Sequence, residues 1–165
     1  MERRMFKMYG EGVIRIWLSE NAGILFRMLF AIYLLILTVM DIRTRRLHLG
    51  VLLLGFPLAV AGRIILGNIP AALVIAGGAS GALFVIVSRM TEEAFGYGDS
   101  ILITITGIFL GIWDFLAMLV TAFFLAAVFS GIMISRKKYT RKSAFPFVPF
   151  LAAAYLGGVL IGGYG

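Results

Sequence analysis

The feature that most limits the fold is a succession of six apolar runs separated by short polar connections. The runs lie near residues 22–40, 49–67, 69–88, 100–112, 114–134 and 146–163. Most approach the roughly 20 residues that a helix needs to cross the hydrocarbon core of a bilayer. They are apolar on all sides, without the alternation along short strands that a transmembrane barrel requires. In lipid, backbone polar groups must be satisfied within helices or a closed barrel. The runs therefore predict an all-α, polytopic membrane protein, a bundle of about six transmembrane helices. The chain is 165 residues long, which suits one domain, and 61% of it is hydrophobic. Soluble domains hold roughly 45–50%. The run at 100–112 is short for a span and is expected to borrow residues on either side.

Residues 1–21 have a different texture. Arg3, Arg4, Lys7 and Arg15 alternate with Glu2, Glu11 and Glu20, while Val13, Ile14, Trp17 and Leu18 recur near helical spacing. This reads either as an amphipathic surface helix or as an extension of the first span, ahead of a membrane-embedded domain over 22–165. The first apolar run is longer than the apolar core of a secretory leader and is not followed by a small-residue cleavage pattern. It is expected to stay in the membrane.

The net charge is +7, but the basic residues sit mostly in connections between apolar runs, where they act as topology determinants rather than as a nucleic-acid surface. The first connection carries Arg43, Arg45 and Arg46, the third Arg89, and the fifth Arg136, Lys137, Lys138, Arg141 and Lys142. By the positive-inside rule these three face the cytoplasm, in a plasma membrane or bacterial inner membrane. The basic N-terminal residues oppose that orientation, and the loops outweigh them. With no cysteine and a single histidine, His48, disulfides, thiol catalysis and Cys- or His-rich metal sites are excluded. No metal or cofactor is called for.

Against this background two aspartates stand out. Asp41 closes the first run and opens Asp41-Ile42-Arg43-Thr44-Arg45-Arg46; Asp99 closes Phe95-Gly96-Tyr97-Gly98-Asp99 just before the fourth run. A carboxylate at mid-membrane costs roughly 2.5–3.5 kcal/mol on insertion scales, and less near the interface. Under the topology above, both lie at the cytoplasmic edge of the membrane, as the two halves of an acid/base site would. Gly96 and Gly98 are expected to allow close backbone approach and conformations that other residues resist. Asp114, between runs four and five, is expected to cap the fifth helix. His48 reads as an interface residue. Gly77…Gly81, Gly107…Gly111 and Gly158…Gly162 have the spacing of close helix packing in lipid.

In combination these segments resemble the type IV prepilin peptidase family, the GxGD-type membrane aspartic peptidases. The family's first motif is matched by Asp41 through Arg43 and Arg45 to Leu47, and its second by Gly96, Gly98 and Asp99. A third block reads Pro146-Phe147-Val148-Pro149-Phe150-Leu151. The resemblance covers roughly residues 30–163. Where many members have Pro-Asn or Pro-Asp this chain has His48 and Leu49; Ile101 replaces a common lysine, and Val148 a glycine. The resemblance implies an aspartic endopeptidase with Asp41 and Asp99 as catalytic dyad. It implies as substrate a prepilin-like precursor, cut between its short basic leader and its apolar helix at the cytoplasmic interface. It further implies a stand-alone peptidase without the methyltransferase region of bifunctional relatives. Pro146 and Pro149 start the sixth helix, and the block containing them is expected beside the active site. Glu92 and Glu93 are candidates for attracting the basic leader. Two other readings use the same residues: a catalytically impaired relative that scaffolds pilus or secretion assembly, and a small proton-coupled transporter with a carboxylate relay.

Overall fold

The computed structural model describes residues 2–44, 47–67, 69–90, 96–136 and 146–164, with side chains from residue 21 onward. The described residues form α1 (Glu2–Thr44), α2 (Leu49–Leu53), α3 (Gly55–Leu66), α4 (Ala71–Met90), α5 (Tyr97–Leu110), α6 (Ile112–Ser135) and α7 (Val148–Ile161). Four stretches are long and apolar enough to cross a membrane: Asn21–Thr44, Leu49–Leu66, Ala71–Met90 and Ile112–Ser135. The helices α5 and α7, at 14 residues each, measure about 21 Å. The protein is an all-helical membrane bundle, and α2 with α3 makes one of its spans.

The interruption between α2 and α3 has a local cause. Pro57 lies within α3, where it has no N–H for the carbonyl four residues back and its ring crowds that turn. Nearby backbone is served from α1 instead, because the Tyr33 hydroxyl donates to the Leu52 carbonyl at 2.9 Å. Gly55 makes room for that reach, since a Cβ there would meet the Tyr33 hydroxyl. At the far end of α3, Gly67 takes a left-handed conformation (φ 60°) and returns its N–H to the Arg63 carbonyl. The Pro70 carbonyl accepts the first bonds of α4, as the turn chemistry of Gly67 and Pro70 predicts.

Helix α1 packs against α3 and α7, α5 against α3 and α4, and α6 against α7 and α4. The centre is aromatic. Phe30 of α1 stacks on Phe109 of α5 with centroids 4.1 Å apart, and Tyr155 of α7 meets the Phe30 ring edge-on at 5.3 Å. Outward-facing Ile64, Ile75, Val120, Leu160 and Ile161 are exposed, an apolar exterior suited to hydrocarbon rather than water.

The broadest contact is between α4 and α5, and two of the three glycine pairs make it. A Cβ on Gly77 would meet the Gly107 carbonyl oxygen, and one on Gly107 would meet that of Gly77. A Cβ on Gly81 would stand 2.8 Å from the Thr104 backbone nitrogen. The two backbones thus touch directly, as small residues permit in lipid. The third pair behaves differently from the expectation. Gly158 accommodates the folded-back Tyr164 ring, and Gly162 ends α7 at φ 71° with no neighbour within 4 Å. That spacing closes a helix end and joins no second helix.

A contrast between two glycines tests this packing. Gly107→Val forces the α4 and α5 backbones apart and should destabilise the detergent-solubilised protein by about 1–3 kcal/mol or more. Gly131→Ala, in α6 with nothing within 4 Å, should be neutral or stabilising by up to about 1 kcal/mol. Thermal unfolding midpoints of the two variants give the comparison.

Candidate active site

Asp41 sits in the last full turn of α1, on its interior face, and is only 7% exposed. A carboxylate so placed needs donors, and among the described residues one is the backbone. The Val148 N–H, at the first residue of α7, donates to Asp41 Oδ2 at 3.2 Å. The first N–H groups of a helix have no partner within it and carry its positive dipole end. The N-terminus of α7 therefore offers both a donor and a favourable field. Pro149, in the first turn of α7, suits a helix start because its missing N–H removes nothing there. Phe147 packs against Phe123 of α6 at 5.1 Å and Phe150 against Phe129 at 5.4 Å, pinning this end of α7. The third block thus lies against Asp41, and the contact runs through backbone rather than through the prolines.

Asp99 lies in the first turn of α5, half-buried, with Gly96 as N-cap. The turn is tied by the Ser100 N–H and hydroxyl, both directed at the Gly96 carbonyl at 3.1 and 3.2 Å. Helices α1 and α5 bring the two carboxylates to the same end of the bundle, near enough that the Asp41 charge acts on Asp99. The glycines of this motif serve space, not unusual dihedrals, which corrects the expectation drawn from sequence. Gly96 has φ −54° and ψ 127°, Gly98 is helical, and positive φ among the described glycines is confined to Gly67, Gly111 and Gly162. A Cβ on Gly96 would crowd the Asp99 carboxylate at 3.1 Å, and one on Gly98 would press on Leu47 at 3.0–3.4 Å.

That second contact links the two motifs. Leu47, six residues after Asp41, rests on the helix turn that carries Asp99. Its partner was not legible from spacing, although its place in the first motif was. The Val148 N–H was missed for a related reason: a backbone donor leaves no residue-type signature.

The remaining candidates fall elsewhere. Glu92 and Glu93 lie outside the described residues. His48 is exposed at the start of α2 without a side-chain cap bond. Asp114 does not cap α6, contrary to expectation. Gly111 holds that position at φ 77°, and Asp114 stands in the first turn. There it answers a different need, balancing the charges of Arg63 and Arg27 beside a cavity of about 10 Å³ also lined by Tyr155 and Tyr164. This second polar cluster joins the C-terminal end of α3 to the N-terminal end of α6, at the opposite end of the bundle from Asp41 and Asp99. No group of three or more metal-ligating side chains occurs among the described residues.

Two carboxylates from separate helices at one end of an apolar bundle, one of them in a glycine-flanked turn, agree with the family motifs. Residues 28–133 match the type IV leader peptidase family. The chain belongs to that family. The matched region contains both aspartates and Leu47, and ends before the third block. No curated protein and no solved structure matches the chain. As a family member it is a leader-type peptidase, and its apolar helices make it a multi-pass membrane protein.

The Leu47 contact gives a prediction free of any activity assay. Gly98→Val should lower the thermal unfolding midpoint by crowding Leu47. Leu47→Ala in the same chain should return part of the loss, with a coupling of about 0.5–3 kcal/mol in a double-mutant cycle. Strict additivity would separate the two positions.

Proposed function

We propose that this leader peptidase is an aspartic endopeptidase whose dyad is Asp41 and Asp99. Its substrate is a prepilin-like precursor, cut at the cytoplasmic face of the membrane to remove a short basic leader. The observation that carries the reading is the convergence of the two carboxylates at one end of the bundle. Two carboxylates that feel each other's charge in apolar surroundings do not both ionise cheaply, so the pair would hold one proton between them. The ionised member takes a proton from water as the oxygen attacks the scissile carbonyl carbon. The protonated member donates to the carbonyl oxygen as it gains negative charge. Collapse of the tetrahedral intermediate breaks the C–N bond, and the amine leaves with a proton returned from the pair. The titration belongs to the dyad and not to either residue. The Val148 N–H limits how the Asp41 carboxylate rotates.

The location suits such a substrate. A precursor with a basic leader and an apolar helix places its scissile bond where charge gives way to hydrocarbon. Asp41 stands at that boundary, between the first apolar run and Arg43. The positive loops at this end support a cytoplasmic orientation for it. Glu92 and Glu93 precede the Asp99 motif and would draw the basic leader toward it.

Purified protein with a panel of pilin-type precursors tests the dyad. Asp41→Asn and Asp99→Asn should each lower cleavage after the basic leader by at least about a hundredfold while precursor binding persists. Cleavage surviving either substitution removes that residue from the mechanism, and binding without wild-type cleavage favours the scaffold reading. For the leader, Glu92→Gln combined with Glu93→Gln should raise KM for a basic leader more than for a neutralised one. Equal changes for both would end that assignment.

A further inference from the structure

Asp99 rides on a helix turn with little to hold it from within. Gly96 and Gly98 precede it, and a glycine inside a helix costs about 0.5–1 kcal/mol relative to alanine. The two bonds from Ser100 to the Gly96 carbonyl set the shape of the turn but not where it stands. The contact that indexes α5 against α4 at Gly81 reaches Ile103 and Thr104, about 6–8 Å farther along the helix axis. On the exposed side, the Arg89 guanidinium lies 6.0 Å from the centre of the Tyr97 ring, at the outer limit of a cation–π contact.

The apolar support comes from Leu47. Among the described residues outside its own helix and chain neighbours, the atoms nearest a Cβ on Gly98 are Leu47 Cδ1 at 3.0 Å, Cβ at 3.2 Å and Cγ at 3.4 Å. The leucine therefore occupies the space that a side chain at position 98 would take. It is also tied to α1 on both sides. Helix α1 continues past Asp41 to Thr44, whose hydroxyl donates to the Met40 carbonyl at 2.9 Å. Leu47 follows Thr44 by three peptide links, which span at most about 11 Å. Downstream, Leu52 is fully buried and its carbonyl accepts the Tyr33 hydroxyl of α1. One side chain thus joins the helix that bears Asp41 to the turn that bears Asp99.

We propose that Leu47 is a positioning residue of the peptidase: seated against Gly98, it fixes the separation of Asp99 from Asp41 that peptide hydrolysis requires. The assignment rests on the aspartic dyad proposed above. Leu47 touches no reacting group and acts only through the turn it supports. Its removal leaves that turn free to shift by a side chain's width, and a displacement of about 1 Å can cost a hundredfold in rate. The loss falls on the chemical step, so it belongs to kcat and not to precursor binding. The same reasoning explains why a glycine suits position 98, since any side chain there would displace the leucine that sets the spacing.

The test uses the full chain in detergent, below the unfolding midpoint of every variant, with a cleavable pilin-type precursor. Leu47→Ala should lower kcat about ten- to a hundredfold and leave KM unchanged. Leu47→Met, which conserves volume, should keep most of kcat. Leu47→Val, a smaller truncation, answers the same question should Leu47→Ala fail to fold. A second measurement needs no turnover. The chain has no cysteine, so Asp41→Cys combined with Asp99→Cys puts thiols at the dyad positions alone. Cross-linking by bis-thiosulfonates of graded length then reads the separation. Adding Leu47→Ala should shift or broaden the preferred length, and adding Leu47→Met should not. A Leu47→Ala enzyme with wild-type kcat, or with only KM changed, overturns the proposal. A lowered kcat with an unchanged length preference overturns it too, because spacing is then not what Leu47 controls. Turnover retained by Asp41→Asn removes the dyad and the catalytic role of Leu47 together, and the cross-linking profile tells that failure from one confined to Leu47.

Discussion

The hydrogen bond from the Val148 N–H to Asp41 Oδ2 closes the bundle on itself. It joins the last helix to the first and does so at a carboxylate that apolar surroundings disfavour. A side-chain cation there would neutralise Asp41 by pairing with it and would occupy the face that a reaction needs. A backbone donor at a helix start supplies one directed bond and a partial positive field, leaving the second carboxylate oxygen for other chemistry. Much of α7 follows from this need: Pro149 in the first turn, Phe147 and Phe150 gripping α6, and the buried Tyr155 holding the Arg27 carbonyl at 3.0 Å farther along.

Asp99 is placed by different means. The direct backbone contact of α4 and α5 through Gly77, Gly81 and Gly107 fixes how far α5 slides along its neighbour, and hence the depth of its first turn. Side-chain packing alone would let α5 settle over a wider range, because lipid chains compete equally well for apolar surface. Leu47 against Gly98 then couples that turn to the end of α1. Asp41 and Asp99 come to the same end of the bundle because one helix is latched at its end and the other is indexed along its length.

Much of this was legible in the sequence. Apolar runs announce helices because lipid leaves few other options, and Asp41 and Asp99 were conspicuous because charge is rare there. What the sequence concealed was partner identity. Gly96 and Gly98 were expected to allow both close approach and unusual conformations, whereas their dihedrals are ordinary and they leave space for Asp99 and Leu47. Asp114 looked like a cap, since a carboxylate at a helix start usually is one. Its nearness to the charges of Arg63 and Arg27 depends on how α1, α3 and α6 associate, which no local pattern encodes. The spacing of Gly158 and Gly162 resembled a packing motif for the same reason, until Tyr164 folded over it.

The departures from the family pattern acquire a physical meaning in this arrangement. His48 and Leu49 are exposed, and Ile101 packs at the edge of the core; none bonds either aspartate among the described residues. Val148 is the instructive case, since it stands where many relatives carry glycine. Its side chain is fully buried in the core while its N–H reaches Asp41. The position contributes a backbone donor, which glycine and valine supply alike and proline alone could not. A buried valine side chain adds apolar contact and stiffens the turn that aims the donor. Glycine would leave that turn freer in the unfolded chain and less restrained in the folded one. On this argument valine at position 148 keeps the backbone donor to Asp41 and adds a buried side chain that holds it in place.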